Sequence, residues 1–211
     1  MRMKEKDYTH IGRKEKEVDA AFWKELYRIG DTGWDQGDAS PGLVDFLKEK
    51  NYKTGRVLVP GCGRGHDARA LAKAGFDVIG IDLVETAVME ASQLAISEGY
   101  ANIRFEQSDF FNMPTHLQGP YDLIFEHTFF CAIDPAMRNL YVETASGLLK
   151  KEGDLLGVFY NIQPESGPPF GTTREELMER FSPRFTLLFE CMPRSFSERE
   201  GEELLMLWRK R

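Results

Sequence analysis

The sequence predicts a single α/β domain built on a seven-stranded, mostly parallel sheet with helices on both faces. At 211 residues the chain is long enough for one core that covers a sheet on two sides. Short β-rich runs alternate with longer helical patterns, as in a parallel sheet wrapped by helices. The last two predicted strands are joined by Pro193–Glu202 alone. Because that connection is too short for a crossover helix, we expect an antiparallel last strand.

Each strand is a short apolar or β-branched run bounded by turn residues. The predicted strands are Arg56–Pro60, Asp77–Asp82, Ile103–Asp109, Tyr121–Glu126, Asp154–Tyr160, Phe185–Cys191 and Glu203–Arg209. Between the second and third strands, apolar residues from Val84 to Ala95 recur at helical spacing. Asp134-Pro135 has the capping pattern that opens a helix. We expect that helix to run to about Lys150, before Glu152-Gly153 interrupts it.

The N-terminal part of the chain divides into a charged segment, residues 1–17, and two helical stretches within residues 18–50. We interpret residues 18–50 as a helical cap over the carboxyl edge of the sheet, inside a single domain of residues 18–211. The first residues mix both signs of charge and lack the apolar stretch of a signal peptide. No stretch approaches the ~18–20 apolar residues of a membrane span. We therefore expect a cytoplasmic protein.

Charge and cysteine usage narrow the range of partners. With 34 acidic and 27 basic residues the net charge is -7, which repels phosphate backbones and anionic membranes. Nucleic acid and membranes are therefore not expected as partners. The 3 cysteines are widely spaced and the 4 histidines lack metal-ligand spacing. This pattern predicts neither a disulfide framework nor a metal site.

A glycine-rich loop follows the first strand. Gly61, Gly63 and Gly65 are separated by Cys62 and Arg64, and a helical pattern comes next. Small residues let the backbone approach a ligand, and free amides at the helix start face it. The spacing is Gly-x-Gly-x-Gly, so the third glycine comes one residue too early for the dinucleotide fingerprint. A tight turn without a ligand is the alternative.

Acidic residues end the next two strands. Asp82 can accept hydrogen bonds from both hydroxyls of a ribose, although a helix cap would also explain it. Asp109 can accept from an adenine amine while Phe110 packs on the ring. A turn followed by core phenylalanines is the alternative there. Both carboxylates fall where open α/β sheets bind ligands.

Several motifs together resemble the thiopurine S-methyltransferase superfamily, and most closely its halide/thiol (thiocyanate) methyltransferase branch. They are Trp23, Tyr27, Trp34-Asp35, VLVPGCGRGHDARALA, SDFF, YDLIFEHTFFCAIDPAMR and SGPPFG. Class I enzymes generally have an acidic residue two places before the first glycine, whereas Val59 stands here and Pro60 follows, as in that branch. The resemblance implies a Rossmann-like fold and S-adenosyl-L-methionine as cofactor.

The resemblance also implies roles for individual residues. The implied cofactor contacts are Trp23, Tyr27 and Trp34 in the cap, Gly61 and Gly63 in the loop, Asp82, Leu83, Asp109 and Phe110 around the nucleoside, and His127 beside the sulfonium. The implied substrate contacts are Phe129, Arg138 and Phe170. Relatives in the halide/thiol branch commonly have tyrosine where this chain has His127. Aromatic faces suit a sulfonium because they stabilise cations.

The expected activity is methyl transfer to a small sulfur or halide nucleophile: hydrosulfide, thiocyanate, a small thiol or iodide. A soft anion needs no general base, whereas a neutral thiol would lose its proton to His127 or Tyr160, the candidate catalytic residues. His127 as a core histidine, Tyr160 as a packing residue and Arg138 as a surface ion pair are the alternatives. A bulkier thiol, an oxygen or nitrogen acceptor, a non-catalytic nucleotide-binding module and an NAD-dependent oxidoreductase remain rival functions. We expect a monomer or a weak homodimer.

Overall fold

The computed structural model describes residues 18–50 and 52–211. The charged segment 1–17 lies outside the described residues. The strands are β1 Arg56–Pro60, β2 Asp77–Asp82, β3 Ile103–Gln107, β4 Tyr121–His127, β5 Leu149–Tyr160, β6 Phe185–Cys191 and β7 Glu203–Lys210. The helices are α1 Ala20–Ile29, α2 Pro41–Glu49, α3 His66–Lys73, α4 Glu85–Ser97, α5 Arg138–Leu148 and α6 Arg174–Phe181. Within the described ranges, no helix is long and apolar enough to cross a bilayer.

All seven strands form one sheet in the order β3-β2-β1-β4-β5-β7-β6. The pairs from β3 to β5 are parallel, and β7 runs antiparallel to both of its neighbours, β5 and β6. The predicted fold, including the antiparallel last strand, is confirmed. Strand order reverses between β1 and β4, so a crevice opens there at the carboxyl ends of the strands.

Helices cover the sheet on both faces. On one face α2 and α3 pack on β1 through residues such as Leu43, Phe46 and Leu71. On the other face α5 and α6 bury Tyr141 and Phe181 against β4, β5 and β7. Because both faces are covered, the central strands are apolar along almost their whole length and carry no alternating pattern.

Two local expectations differ from the structure. The fifth helix ends at Leu148 and β5 starts at the next residue, so the helix does not reach Lys150. Glu152-Gly153 forms a bulge inside β5: Glu152 has a φ of 58°, and the register with β4 shifts between Tyr121 and Leu123. A turn signal can interrupt a strand through such a bulge instead of ending a helix.

The sequence reading also omitted a helix between β5 and β6. This helix, α6, is capped by Thr173, whose Oγ1 accepts from the amide of Glu176 at 3.2 Å. The capping box was present in the sequence as Thr173 followed three residues later by Glu176. With this helix between them, β6 reaches the edge of the sheet and leaves room for β7 to insert beside β5.

The two N-terminal helices have different positions. Asp19 caps α1 by accepting from the Phe22 amide at 2.7 Å, and Gly30 ends the helix with a φ of 73°. Trp23 and Tyr27 of α1 border the crevice, whereas α2 is packed into one face of the sheet. The helix α1 and the loop after it therefore form the part of the cap that faces the crevice.

Candidate active site

A cavity of about 1320 Å³ lies at the carboxyl ends of the central strands, beneath α1 and the loop after it. It is bordered by most of the side chains predicted from the sequence. These are Trp23, Tyr27, Trp34, Gly61, Gly63, Asp82, Leu83, Asp109, Phe110, His127, Phe129 and Tyr160. Arg138 and Phe170 do not border it. Chain segments separated by more than 100 residues therefore meet at one edge of the sheet.

The glycine loop turns sharply between β1 and α3. Gly61, Gly63 and Gly65 have φ values of 58°, 52° and 72°, the left-handed region that glycine adopts without strain. A Cβ at Gly61 would lie 2.5 Å from the Phe129 ring, and one at Gly63 would lie 3.3 Å from the Tyr27 hydroxyl. Glycine is therefore required by the backbone conformation and by the close packing of the cavity wall.

Asp82 is held at the end of β2 by two backbone amides. Its Oδ2 accepts from the Gly63 amide and its Oδ1 from the Val84 amide, each at 2.9 Å. Burial raises its pKa above the ordinary value, and these hydrogen bonds act in the opposite direction. The carboxylate thus joins the glycine loop to the wall where a ribose was predicted.

The end of β3 supplies two further polar groups. Asp109 Oδ1 accepts from the Phe111 amide at 2.9 Å, which fixes the turn beside Phe110. Ser108 borders the cavity, and its buried Oγ has no hydrogen-bond partner among the described residues. Since buried hydroxyls are normally paired, an orphaned one at a cavity wall indicates a place for a polar ligand atom.

Aromatic rings close the top of the cavity. Trp34 meets Trp23 edge to face at 5.3 Å between centroids and Tyr27 at 5.6 Å. Their negative ring faces are suited to a cation held beneath them. Burial and the nearby Asp82 raise the pKa of Tyr27, so its ring stays neutral and keeps its hydroxyl proton.

The loop that carries Trp34 is fastened to the glycine loop through Asp35. Asp35 Oδ1 lies 3.1 Å from His66 Nε2 and its Oδ2 lies 2.6 Å from Arg64 Nη1. The hydrogen bond from His66 is the main reason that the pKa of Asp35 is strongly lowered. Arg64 also reaches Glu90 on α4 at 2.6 Å. The aromatic roof is thus tied to the loop beneath it.

His127 ends β4 in a buried network of charged groups. Its Nδ1 lies 2.8 Å from Asp67 Oδ2, and its Nε2 lies 3.5 Å from Glu203 Oε1. Burial alone would lower its pKa, but the charge and hydrogen bond of Asp67, together with Glu203, raise it to about 9. The imidazole is therefore protonated at neutral pH.

Arg199 completes this network from the connection between β6 and β7. Its Nη1 lies 3.6 Å from Glu203 Oε1 and its Nη2 donates to the Trp34 carbonyl at 2.9 Å. The guanidinium carbon lies 5.5 Å from the centre of the Tyr160 ring. Two carboxylates balance two cations: Arg199, His127 and Asp67 border the cavity, whereas Glu203 does not. Both cations of the network are therefore near the ligand, together with one of its two carboxylates.

The second candidate base, Tyr160, keeps its proton. Its hydroxyl donates to Glu202 Oε2 at 3.2 Å, and burial together with that carboxylate raises its pKa to about 12. Cys131, on the same side of the cavity, has its pKa raised to about 12 by burial. Neither group is a strong proton acceptor at neutral pH.

Arg138 and Phe170 were predicted as substrate contacts, and the structure places both outside the cavity wall. Arg138 is only 2% exposed and pairs with Glu176 at 2.9 Å. It is therefore not a surface ion pair either. Phe170 turns its amide to the Cys131 carbonyl at 2.6 Å. The neighbouring Pro168 and Pro169 border the cavity instead.

The sequence reading missed Asp67, Arg199, Glu203 and the buried Glu126. Glu126 accepts from the Phe130 amide at 2.6 Å and holds the turn in which Thr128 has a left-handed φ of 61°. Burial raises the pKa of Glu126 to about 8. Asp67 stood inside the glycine-loop motif and Arg199 in a strand connection at the same sheet edge, but no spacing linked either of them to His127.

These groups fit a ligand that combines a nucleoside with a sulfonium. The glycines of the loop leave room for a ligand against the protein backbone. Carboxylates and an unpaired hydroxyl border the cavity at the ends of β2 and β3, where a nucleoside would fit, and aromatic rings border it beneath α1, where a cation would fit. The sequence profile of the thiopurine S-methyltransferase family matches residues 18–198. The chain belongs to that family. It is an S-adenosylmethionine-dependent methyltransferase, as the sequence resemblance implied.

Individual relatives agree with this assignment. Thiocyanate methyltransferase 1 of Brassica oleracea is 35% identical over 199 residues, covering 92% of this chain and 86% of the relative. Thiopurine S-methyltransferase of Legionella pneumophila (strain Paris) is 30% identical and covers 74% of this chain and 77% of its own. The fold matches that of the 1,6-didemethyltoxoflavin-N1-methyltransferase of Burkholderia thailandensis, with a TM-score of 0.74 at 21% identity, over 92% of this chain and 87% of that one.

Proposed function

We propose that this methyltransferase acts on a small sulfur or halide nucleophile that arrives already ionised: hydrosulfide, thiocyanate, a small thiolate or iodide. The observation that carries the proposal is the set of groups on the acceptor side, the part of the cavity bordered by His127, Tyr160 and Arg199: Asp67 lies 2.8 Å from His127 Nδ1, and the Tyr160 hydroxyl donates to Glu202. His127, with a pKa of about 9, and Tyr160, with a pKa of about 12, both hold their protons at neutral pH. An acceptor that is already an anion needs neither of them as a base.

The acceptor side also offers donors to an anion. His127 and Arg199 border the cavity. Carboxylates face both ring nitrogens of His127, whereas Arg199 uses only part of its N–H groups for Glu203 and the Trp34 carbonyl. Arginine has five such donors in a planar fork. An anion beside this fork would be drawn to the cavity without needing a proton transfer.

The geometry accounts for the transfer step without further chemistry from the protein. S-adenosylmethionine, held between Asp82 and the aromatic residues of the cap, would supply a methyl group bound to a positively charged sulfur. An anionic acceptor could take up that methyl group without a proton transfer, and the sulfur would keep the electron pair of the old carbon–sulfur bond. Trp23, Tyr27 and Trp34 stabilise the cation and exclude water, and Phe129 and Pro169 narrow the approach. The protein's task is to hold two atoms ~3–3.5 Å apart.

Titration calorimetry and a headspace assay test the proposal. We expect S-adenosylmethionine to bind and methyl thiocyanate, methanethiol or iodomethane to form at neutral pH. With thiocyanate, the rate should stay level from pH 6 to 8 and fall as pH rises through about 9, where His127 loses its proton. A rate that rises with pH through neutrality, or turnover confined to a bulky aromatic thiol, would contradict the proposal.

Two substitutions of Arg199, one that removes its charge and one that keeps it, test its role in acceptor binding. Arg199→Gln should raise the KM for thiocyanate by roughly 10-fold or more, and Arg199→Lys by less, because a charged donor remains. Arg194→Gln is the matched control: Arg194 lies in the same connection, but its guanidinium pairs with Asp45 at 2.9 Å and does not border the main cavity. Equal effects at both arginines would contradict a role for Arg199 in acceptor binding.

We also propose that the protein is cytoplasmic and is a monomer or a weak homodimer. Its partner would be a small-molecule acceptor, and neither nucleic acid nor a membrane.

A further inference from the structure

Between β5 and α6 the chain forms a wall segment, Pro168–Gly171, on the acceptor side of the cavity. Pro168 and Pro169 border the cavity. The Thr172 amide that follows donates to the Tyr160 carbonyl at the end of β5, at 3.4 Å. The groups predicted to bind the nucleoside lie at the ends of β2 and β3, which are three and four strands away from β5 in the sheet, so this wall faces the acceptor and not the nucleoside.

The buried Arg138 holds the wall segment by its backbone. Nη2 donates to the Phe170 carbonyl at 3.0 Å and Nη1 to the Gly171 carbonyl at 3.1 Å. From the other side, the Phe170 amide donates to the Cys131 carbonyl at 2.6 Å. Two consecutive carbonyls and the amide that precedes them are thus fixed, which leaves the segment little freedom to move outward.

A second set of contacts fixes Arg138 itself. Glu176 accepts from Nη1 at 2.9 Å and 3.0 Å, and its carboxylate is also bonded by Thr172 and Arg180. The guanidinium carbon lies 4.7 Å from the centre of the Phe130 ring. A buried ion pair adds little net stability compared with apolar packing. The planar guanidinium group instead fixes the position of the wall segment, because it donates to two carbonyls at once.

We infer that Arg138 is a positioning residue that sets the upper size of the methyl acceptor by anchoring the Pro168–Gly171 wall. It acts through the backbone of Phe170 and Gly171 and touches no acceptor itself. This inference rests on the proposed function, since it concerns the acceptor side of the same cavity. It predicts that the selectivity between a small and a bulky acceptor depends on Arg138.

The test compares Arg138→Gln with Arg180→Gln. Both substitutions remove an arginine partner of Glu176. Within the described part of the chain, however, the side-chain hydrogen bonds of Arg180 go to Glu176 and Asn139 and not to the wall segment. The kcat/KM values for thiocyanate and for a thiophenolate are measured, together with the dissociation constant for S-adenosylmethionine. In Arg138→Gln the thiocyanate-to-thiophenolate ratio should fall by roughly 10- to 100-fold, with cofactor affinity unchanged. In Arg180→Gln the ratio should stay within about twofold of the unmutated value.

Hydrogen exchange at the Phe170 amide provides a readout that does not depend on activity. Exchange should be faster in Arg138→Gln than in the unmutated protein, and unchanged in Arg180→Gln. Arg138→Lys is the second variant if the glutamine protein does not fold, since it keeps a cation opposite Glu176 and should shift the ratio in the same direction by less. Equal selectivity ratios in the arginine-138 and arginine-180 variants, or unaltered exchange at Phe170, would overturn the inference. An unmutated enzyme that binds cofactor but methylates neither acceptor would refute the proposed function, and the exchange rates would still decide the role of Arg138.

Discussion

Replacing Asp67 by asparagine should remove most of the pH dependence that His127 gives to folding. In the structure Asp67 Oδ2 lies 2.8 Å from His127 Nδ1 and is the main group that, together with Glu203, raises the pKa of His127 from 6.5 to about 9. A folded-state pKa above the unfolded one contributes stability that is fully present below pH 6.5 and is lost as pH rises through about 9. At about 1.36 kcal/mol per pH unit, the contribution reaches about 3 kcal/mol.

Urea unfolding at pH 6.5 and pH 9.5 measures this contribution. Over that interval the unmutated protein should lose up to about 3 kcal/mol more than Asp67→Asn. Glu126, whose pKa is raised to about 8 mainly by burial, titrates in both proteins, and most of its contribution cancels because the charge of Asp67 is a minor cause of that shift. Glu106→Gln is the control, because Glu106 pairs with the exposed His116 at 2.7 Å and such surface pairs contribute little.

An NMR titration of His127 provides the direct measurement. We expect a pKa near 9 in the unmutated protein and a clearly lower value in Asp67→Asn, where Glu203 alone opposes the effect of burial. The reasoning would be refuted by an imidazole pKa at or below 6.5 in the unmutated protein. The same holds for identical pH slopes of the unfolding free energy in the two proteins.

Three further substitutions test the loop, the ribose carboxylate and the buried glutamate. Asp82→Ala should weaken S-adenosylmethionine binding by about 10- to 100-fold in calorimetry, because two amides lose their acceptor; unchanged affinity would contradict this. Gly61→Ala should cost about 2–3 kcal/mol in chemical denaturation through its collision with Phe129, against about 1 kcal/mol for Gly99→Ala, where nothing lies within 4 Å. The raised pKa of Glu126 gives stability present below pH 4.5 and lost as pH rises through about 8. Glu126→Gln should therefore flatten the unfolding free energy between pH 5 and 8.5 by roughly 2–4 kcal/mol, and an unchanged slope would exclude a titrating Glu126.

Local patterns were sufficient for most of the secondary structure. The strands β1, β2 and β6 have the predicted ends, because each is a short apolar or β-branched run that closes on a turn residue. Boundaries were missed where two signals compete. Glu152-Gly153 breaks a helix and also forms a bulge, and which of these occurs depends on pairing with β4, a strand that is distant in sequence.

Most of the residues predicted from the sequence to contact the cofactor also border the cavity. Asp82 ends β2 and Asp109 follows the end of β3 by two residues, and the carboxyl ends of parallel strands meet at one edge of a sheet. The sheet topology alone therefore places the two carboxylates near each other. The network of Asp67, His127 and Arg199 could not be predicted in the same way, because these residues come from α3, β4 and the connection before β7.

Sequence alone determined the α/β class, the order of most elements, the family and the residues at the ends of β2 and β3 that border the cavity, because each of these follows from short-range pattern or from motifs in contiguous chain. Only the tertiary structure decided that Asp67 and Glu203 keep His127 protonated, that Arg199 stands beside it, and that Arg138 supports the wall from behind. Charge and burial depend on distances between segments far apart in the chain. Those distances are set by packing on the sheet, and no spacing along the sequence records them.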